Sequence, residues 1–169
     1  MPSNDTQQEL LDIAFQKDHV VEMMFYPNAW LSARDWLTAQ NKSCLWNVEN
    51  FPPTTRSAIP HSPGVYVFVV TPNIFNLEHA CGLFYIGKAT NLYSRISPYI
   101  AEIGKRFKES KRPHIWKMVN LWDGHLKYHY MATRDVAEAE ELEAEMIKAF
   151  RPYFNKQYDA ETSQFMRAF

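Results

Sequence analysis

The sequence predicts an α/β protein of the α+β kind: a small three-stranded sheet flanked by helices, behind a mainly helical N-terminal extension. Three observations predict it. Residues 65–71 and 83–88 are short stretches rich in β-branched and aromatic residues, one connection apart, and read as antiparallel strand partners. Residues 126–133 form a third stretch, alternating in character. Between and after them run segments with apolar residues at helical spacing, the longest over 136–150.

Taken in order, residues 1–58 read as the extension and 59–169 as the organised domain. In the extension, residues 9–15 suit a short helix, 20–25 are an apolar cluster that Pro27-Asn28 breaks, and 32–37 suit a helix capped by Ser32. Trp30, Trp36 and Trp46 read as packing residues rather than a base-stacking platform. Residues 51–55 are a turn or linker, and 59–63, carrying Pro60 and Pro63, are extended. The first strand opens at Gly64-Val65-Tyr66 and ends at Pro72. The second ends in Tyr85-Ile86-Gly87-Lys88, and a helix starting at Thr90 or Asn91 carries Arg95. Pro98 bends or stops that helix. Residues 114–122 form a helix with Ile115, Met118, Val119 and Trp122 on one side. Asp123-Gly124 turns the chain into the third strand. Asp135 or Thr133 then caps the last helix, and Arg151-Pro152 stops it.

A chain of 169 residues is most simply one domain, and 46% hydrophobic residues supply an ordinary core. No apolar run approaches the ~20 residues that span a bilayer. The start, Met1-Pro2-Ser3-Asn4-Asp5, does not read as a secretory signal. Cys44 and Cys81 have neither zinc-ligand spacing nor a disulfide framework. The expectation is a cytoplasmic protein without membrane contact.

Net charge is −1, but its distribution is uneven. Residues 88–118 carry eight basic side chains against Glu102 and Glu109, a balance of +6, whereas 1–58 and 119–169 are each at −3. The densest part holds Lys105, Arg106, Lys108, Lys111 and Arg112. Such a segment either tracks a phosphate backbone or is a solvated loop.

The last helix holds a second clue. At about 100° per residue, Val136, Ala139, Met146, Ile147 and Phe150 fall within roughly 60° of Glu143. Glu143 therefore points out of the apolar stripe, while Glu141, Glu145 and Lys148 take the opposite face. An inward carboxylate is costly unless paired or bound to a cation. Two readings stay open: a buried salt bridge to Arg95 or Lys88, or a metal ligand. Tyr66, Tyr85, Lys88, Arg95 and Tyr99 gather at the strand-to-helix corner, a set that suits a phosphate better than a core.

In this order the residues resemble the GIY-YIG nuclease superfamily. Gly64-Val65-Tyr66 stands for the first motif and Tyr85-Ile86-Gly87 for the second. Lys88, Asn91-Leu92, Arg95, Tyr99, Glu143, Arg151-Pro152 and Asn155 follow at the intervals seen in the N-terminal nuclease domain of the excision-repair endonuclease UvrC, to which the details are most similar. The likeness covers about residues 60–158. It implies a three-stranded antiparallel sheet flanked by helices. It implies hydrolysis of a nucleic-acid phosphodiester with one divalent cation, Mg²⁺, for which Mn²⁺ can substitute.

Residue by residue, the resemblance makes Glu143 the metal ligand and Arg95 a fork for phosphate oxygens. Tyr66 becomes the base or water-positioner, with Tyr85 its hydrogen-bonding partner. A free tyrosine titrates near ~10, so a cation such as Lys88 or the metal must help it. Tyr99 orients nucleophile or phosphate, Asn155 ties the loop after the helix to the sheet, and Gly64 and Gly87 support the site, Gly87 by letting the backbone approach. The five basic residues at 105–112 contact nucleic acid. Double-stranded DNA is the expected partner, with a homodimer, and a protein docking on residues 1–58, as further partners.

Three departures bear on the role: a longer connection after Pro72, Pro98 in the arginine helix, and no zinc-finger or helix-hairpin-helix module after Asn155. They favour a stand-alone restriction-, mobile-element- or phage-type endonuclease. A structure-specific repair nuclease comes second, and a non-catalytic nucleic-acid-binding module third. His61, His79, His114, His125 and His129 show no ligand spacing and stay unassigned.

Overall fold

The computed structural model describes residues 42–71, 74–76, 82–150, 152 and 155. The helices expected within 9–37, with Trp30 and Trp36, lie outside the described residues, as does most of the connection before the second motif strand. At the centre is an antiparallel sheet of β1 (Asn47–Asn50), β2 (Gly64–Val70), β3 (Gly82–Ala89) and β4 (Leu126–Ala132), in the order β1-β4-β2-β3. Around it are α1 (Leu92–Arg95), α2 (Ser97–Ile100), α3 (Pro113–Leu121) and α4 (Val136–Phe150).

The α+β class holds, but the expected three strands are four. β1 runs antiparallel to β4, from Asn47 opposite Tyr130 to Asn50 opposite Lys127. Its sequence is Asn-Val-Glu-Asn, with Val48 the sole β-branched residue. Asparagine is depleted in strands, so pairing to β4 rather than local propensity makes this one. It falls within the 1–58 stretch read as an extension.

β2 is apolar throughout because both its faces are covered. Tyr66, Phe68 and Val70 join Tyr128 and Tyr130 of β4 against Leu92, Ile96, Tyr99, Met118 and Val119 of α1–α3. Val65 and Val67 join Ile86 of β3 against Ala139 and Ile147 of α4, and Trp46 packs at the margin of that core. A bulge adjusts the hairpin: Phe68 faces Tyr85 and Val69 faces Leu83, leaving Phe84 as the extra residue. Phe84 and Tyr85 consequently turn toward the same core.

The helix ends follow local chemistry. Asn91 caps α1, its side chain accepting the Ser94 N–H at 2.9 Å. Arg95 ends α1, and Pro98 lies in the first turn of α2, where its missing N–H costs nothing. Of the two candidates for the start of α4, Asp135 is the cap: its Oδ1 accepts the Glu138 N–H at 2.9 Å. Among the described residues, no helix is long and apolar enough to cross a membrane.

Candidate active site

The two motif strands meet at the end of the β2–β3 hairpin, with Tyr66 opposite Gly87 and Val65 opposite Lys88. Both motif glycines are sterically required. A Cβ on Gly87 would lie 2.4 Å from the Tyr66 hydroxyl, and one on Gly64 would lie 2.3 Å from the carbonyl oxygen of Met131. Close backbone approach is therefore the reason for Gly64. At Gly87, where it was expected, the neighbour is the Tyr66 side chain instead.

Tyr66 is fully buried, and its hydroxyl is shared. Arg95 Nε donates to it at 2.9 Å, and the Tyr99 hydroxyl lies 2.7 Å away. The rings of Tyr66, Tyr85 and Tyr99 form a triangle with centroids about 6 Å apart. Burial, reinforced by the neighbouring tyrosines, pushes the Tyr66 and Tyr99 phenols well above their ordinary range despite Arg95. The Arg112 guanidinium stands 5.1 Å from the centre of the Tyr99 ring.

Beside this cluster is a cavity of about 880 Å³, lined by Tyr85, Lys88, Arg95, Arg112, Glu140 and Glu143 among others. Tyr66 and Tyr99 are not in its wall. Tyr85 reaches the cavity, and Tyr66 sits behind it holding Arg95.

Glu143 is half-buried on α4, facing the cavity as its helical position predicts. Its Oε1 accepts the backbone N–H of Lys88 at 3.0 Å. Burial raises its pKa, while the Lys88 amide and the charges of Lys88 and Arg95 pull the other way. The salt-bridge reading does not hold: none of the ion pairs among the described residues involves Glu143. The Lys88 ammonium pairs with Glu140 instead, at 2.5 Å. No group of three or more His, Cys, Asp or Glu is placed to hold a metal among the described residues. A single cavity-facing carboxylate, held through one oxygen by an amide, fits a hard cation that keeps several waters, as Mg²⁺ does.

The basic residues divide. Lys111 and Arg112 line the cavity. Arg106 and Lys108 are exposed outside its wall. Lys105 pairs with buried Glu102 at 2.8 Å. That carboxylate also accepts from Ser110 Oγ, which in turn accepts the Arg112 N–H at 3.0 Å. Burial pushes Glu102 up, but these hydrogen bonds more than offset it and leave its pKa lowered. Asn120 closes the network, donating to the carbonyls of Glu102 and Trp116. The loop that presents Arg112 is therefore built around Glu102, a residue the charge pattern gives no means of singling out. His114 and Glu140, unassigned from sequence, also line the cavity. Asn155 brackets Ile86, accepting its N–H at 2.8 Å and donating to its carbonyl at 2.7 Å.

The model of the UvrC-like GIY-YIG domain matches residues 62–156, and the chain belongs to that family. Among curated relatives, UvrABC system protein C of Brucella abortus (strain 2308) is 34% identical over 97 residues, 57% of this chain and 13% of the relative. The protein of the same name from Methanosphaera stadtmanae is 32% identical over 102 residues, 60% of this chain and 14% of the relative. The chain thus spans a small part of the curated relatives it matches. Among solved structures, the GIY-YIG N-terminal endonuclease domain of UvrC from Thermotoga maritima, bound to magnesium as its catalytic divalent cation, is 26% identical. That match covers 57% of this chain and 86% of the other, with a TM-score of 0.41.

Proposed function

We propose that the chain is a divalent-metal-dependent DNA endonuclease, hydrolysing one phosphodiester at the cavity between β3, α1 and α4. The observation that carries this is Glu143: a half-buried carboxylate without an ion-pair partner among the described residues, facing a cavity that Tyr85, Lys88 and Arg95 share.

Glu143 is the ligand that holds Mg²⁺, or Mn²⁺ in its place. Bound there, the cation supplies Lewis-acid polarisation of a phosphate oxygen and lowers the pKa of a coordinated water. Tyr85, at the cavity wall, positions the attacking water and relays its proton through the phenol hydroxyl to solvent. Tyr66 acts from behind: by accepting from Arg95 Nε it aims the rest of the guanidinium at non-bridging phosphate oxygens, where negative charge develops. Tyr99 fixes the Tyr66 hydroxyl. Lys88, Lys111 and Arg112 add positive charge along the strand's path.

The substrate class is double-stranded DNA, and one site cuts one strand. The similarity to UvrABC system protein C supports a structure-specific repair type ahead of the restriction or mobile-element type. Residues 59–169 would form the catalytic unit, with 1–58 contributing β1 and a surface for DNA or a protein partner.

Supercoiled plasmid with Mg²⁺ tests the reading, alongside Glu143→Ala and an EDTA control. Nicking abolished by both is the expected result, and faster cleavage of branched or bubble DNA than of plain duplex supports the repair type. A wild type inert with Mg²⁺ and Mn²⁺ on every one of these substrates overturns the nuclease reading.

A further inference from the structure

Lys88 is gripped at both ends by one helix. Its backbone N–H donates to Glu143 at 3.0 Å, and its ammonium meets Glu140 at 2.5 Å. Glu140 and Glu143 are three residues apart on α4, neighbours on the helix surface, and both line the cavity. Their environments differ. The Glu140 side chain is 54% exposed, whereas burial already perturbs Glu143.

Of the two carboxylates that α4 turns toward Lys88, the ammonium pairs with the outer one. Attraction alone favours the inner one, because opposite charges attract more strongly as the surroundings become less polar. The positive charge of Lys88 is already felt at Glu143. An ammonium seated directly on Glu143 would occupy the oxygen that a cation needs. An exposed ion pair of the Lys88–Glu140 kind contributes little to folding, so stability does not account for it.

We propose that Glu140 is a positioning residue: it draws the Lys88 ammonium away from Glu143 and thereby keeps the inner carboxylate open to a divalent cation. This rests on the reading of Glu143 as the cation ligand.

The test is direct Mn²⁺ binding to the DNA-free protein, followed by the paramagnetic resonance of free Mn²⁺ at fixed pH. Wild type is compared with Glu140→Gln, Glu143→Gln and the double variant Glu140→Gln/Lys88→Met, and the crystal structure of Glu140→Gln is determined. The expected result is several-fold weaker binding in Glu140→Gln, recovery in the double variant, and a Lys88 ammonium moved onto Glu143 in the crystal. Unchanged binding in Glu140→Gln overturns the proposal. Weaker binding with the ammonium still away from Glu143 also overturns it, since the lost charge alone then explains the effect. A wild type that binds no Mn²⁺, or a Glu143→Gln protein that binds it equally well, removes the metal reading and this inference together.

Discussion

The hydroxyl of Tyr66 fills the space that a side chain on residue 87 would need, 2.4 Å from where its Cβ would stand. The two motifs are therefore halves of one packing arrangement: the tyrosine of the first lies on the glycine of the second. Gly87→Ala forces that buried ring to move, and overpacking of this kind costs about 1–3 kcal/mol. Gly64→Ala costs more, because its obstacle is the Met131 carbonyl of a paired strand. Urea unfolding of the two variants checks the order. Gly87→Ala also loses nicking while still folded, through displacement of Arg95.

Tyr66 and Tyr85 separate stability from activity. Tyr66→Phe strips Arg95 of an acceptor and Tyr99 of its hydroxyl partner in a buried site, a loss of about 1–3 kcal/mol. Tyr85→Phe, at the cavity wall, stays within about 1 kcal/mol of wild type. Its cleavage rate falls on the order of 100-fold or more, the scale of a lost proton-transfer group. Equal activity of Tyr85→Phe and wild type would return the water-facing role to another group.

Glu143 makes stability depend on pH and metal in a defined direction. Burial raises its folded-state pKa against the opposing pull of Lys88 and Arg95, so the native protein holds this proton more tightly than the unfolded chain. The associated stability is present below the unfolded value and is lost as pH rises through the folded one. In EDTA at neutral pH, Glu143→Gln is therefore more stable than wild type, and the difference fades on acidification through the carboxylate range. Mg²⁺ at neutral pH raises the Tm of wild type and leaves the variant unmoved. Thermal melts with and without Mg²⁺, at neutral and acid pH, read both signs.

Asn155 serves as a one-residue strand partner for the outer edge of β3. Asn155→Ala leaves the Ile86 N–H and carbonyl without these bonds, at about 1–3 kcal/mol for each buried group. Asn155→Asp keeps the acceptor but sets a carboxylate against the Ile86 carbonyl. Near neutral pH the Asp variant melts lower than the Ala variant, and acidification narrows the gap.

The parts of the site legible in the sequence are those set by short-range geometry. A helix brings Glu143 into line with Val136, Met146 and Phe150 by turn count alone, and the same count places Glu140 at the stripe's margin, about 60° from Glu143. Tyr66 and Gly87 are legible as motif residues, but their contact is not, because strand register decides it. For the basic segment, sequence gives the sign of the charge and not its aim. Only the fold shows that Lys105 turns to Glu102 while Lys111 and Arg112 turn to the cavity. β1 escapes detection because Asn47 and Asn50 argue against a strand, and long-range pairing overrides them.

That pairing bears on where the protein can be cut. A fragment starting at residue 59 keeps every motif residue but strips β1 from β4, leaving the backbone groups from Lys127 to Tyr130 unpaired along that edge. A bare edge is a template for another chain. Such a fragment would self-associate through β4 with its candidate-site side chains intact, and sedimentation would reveal the difference before any assay of cleavage did.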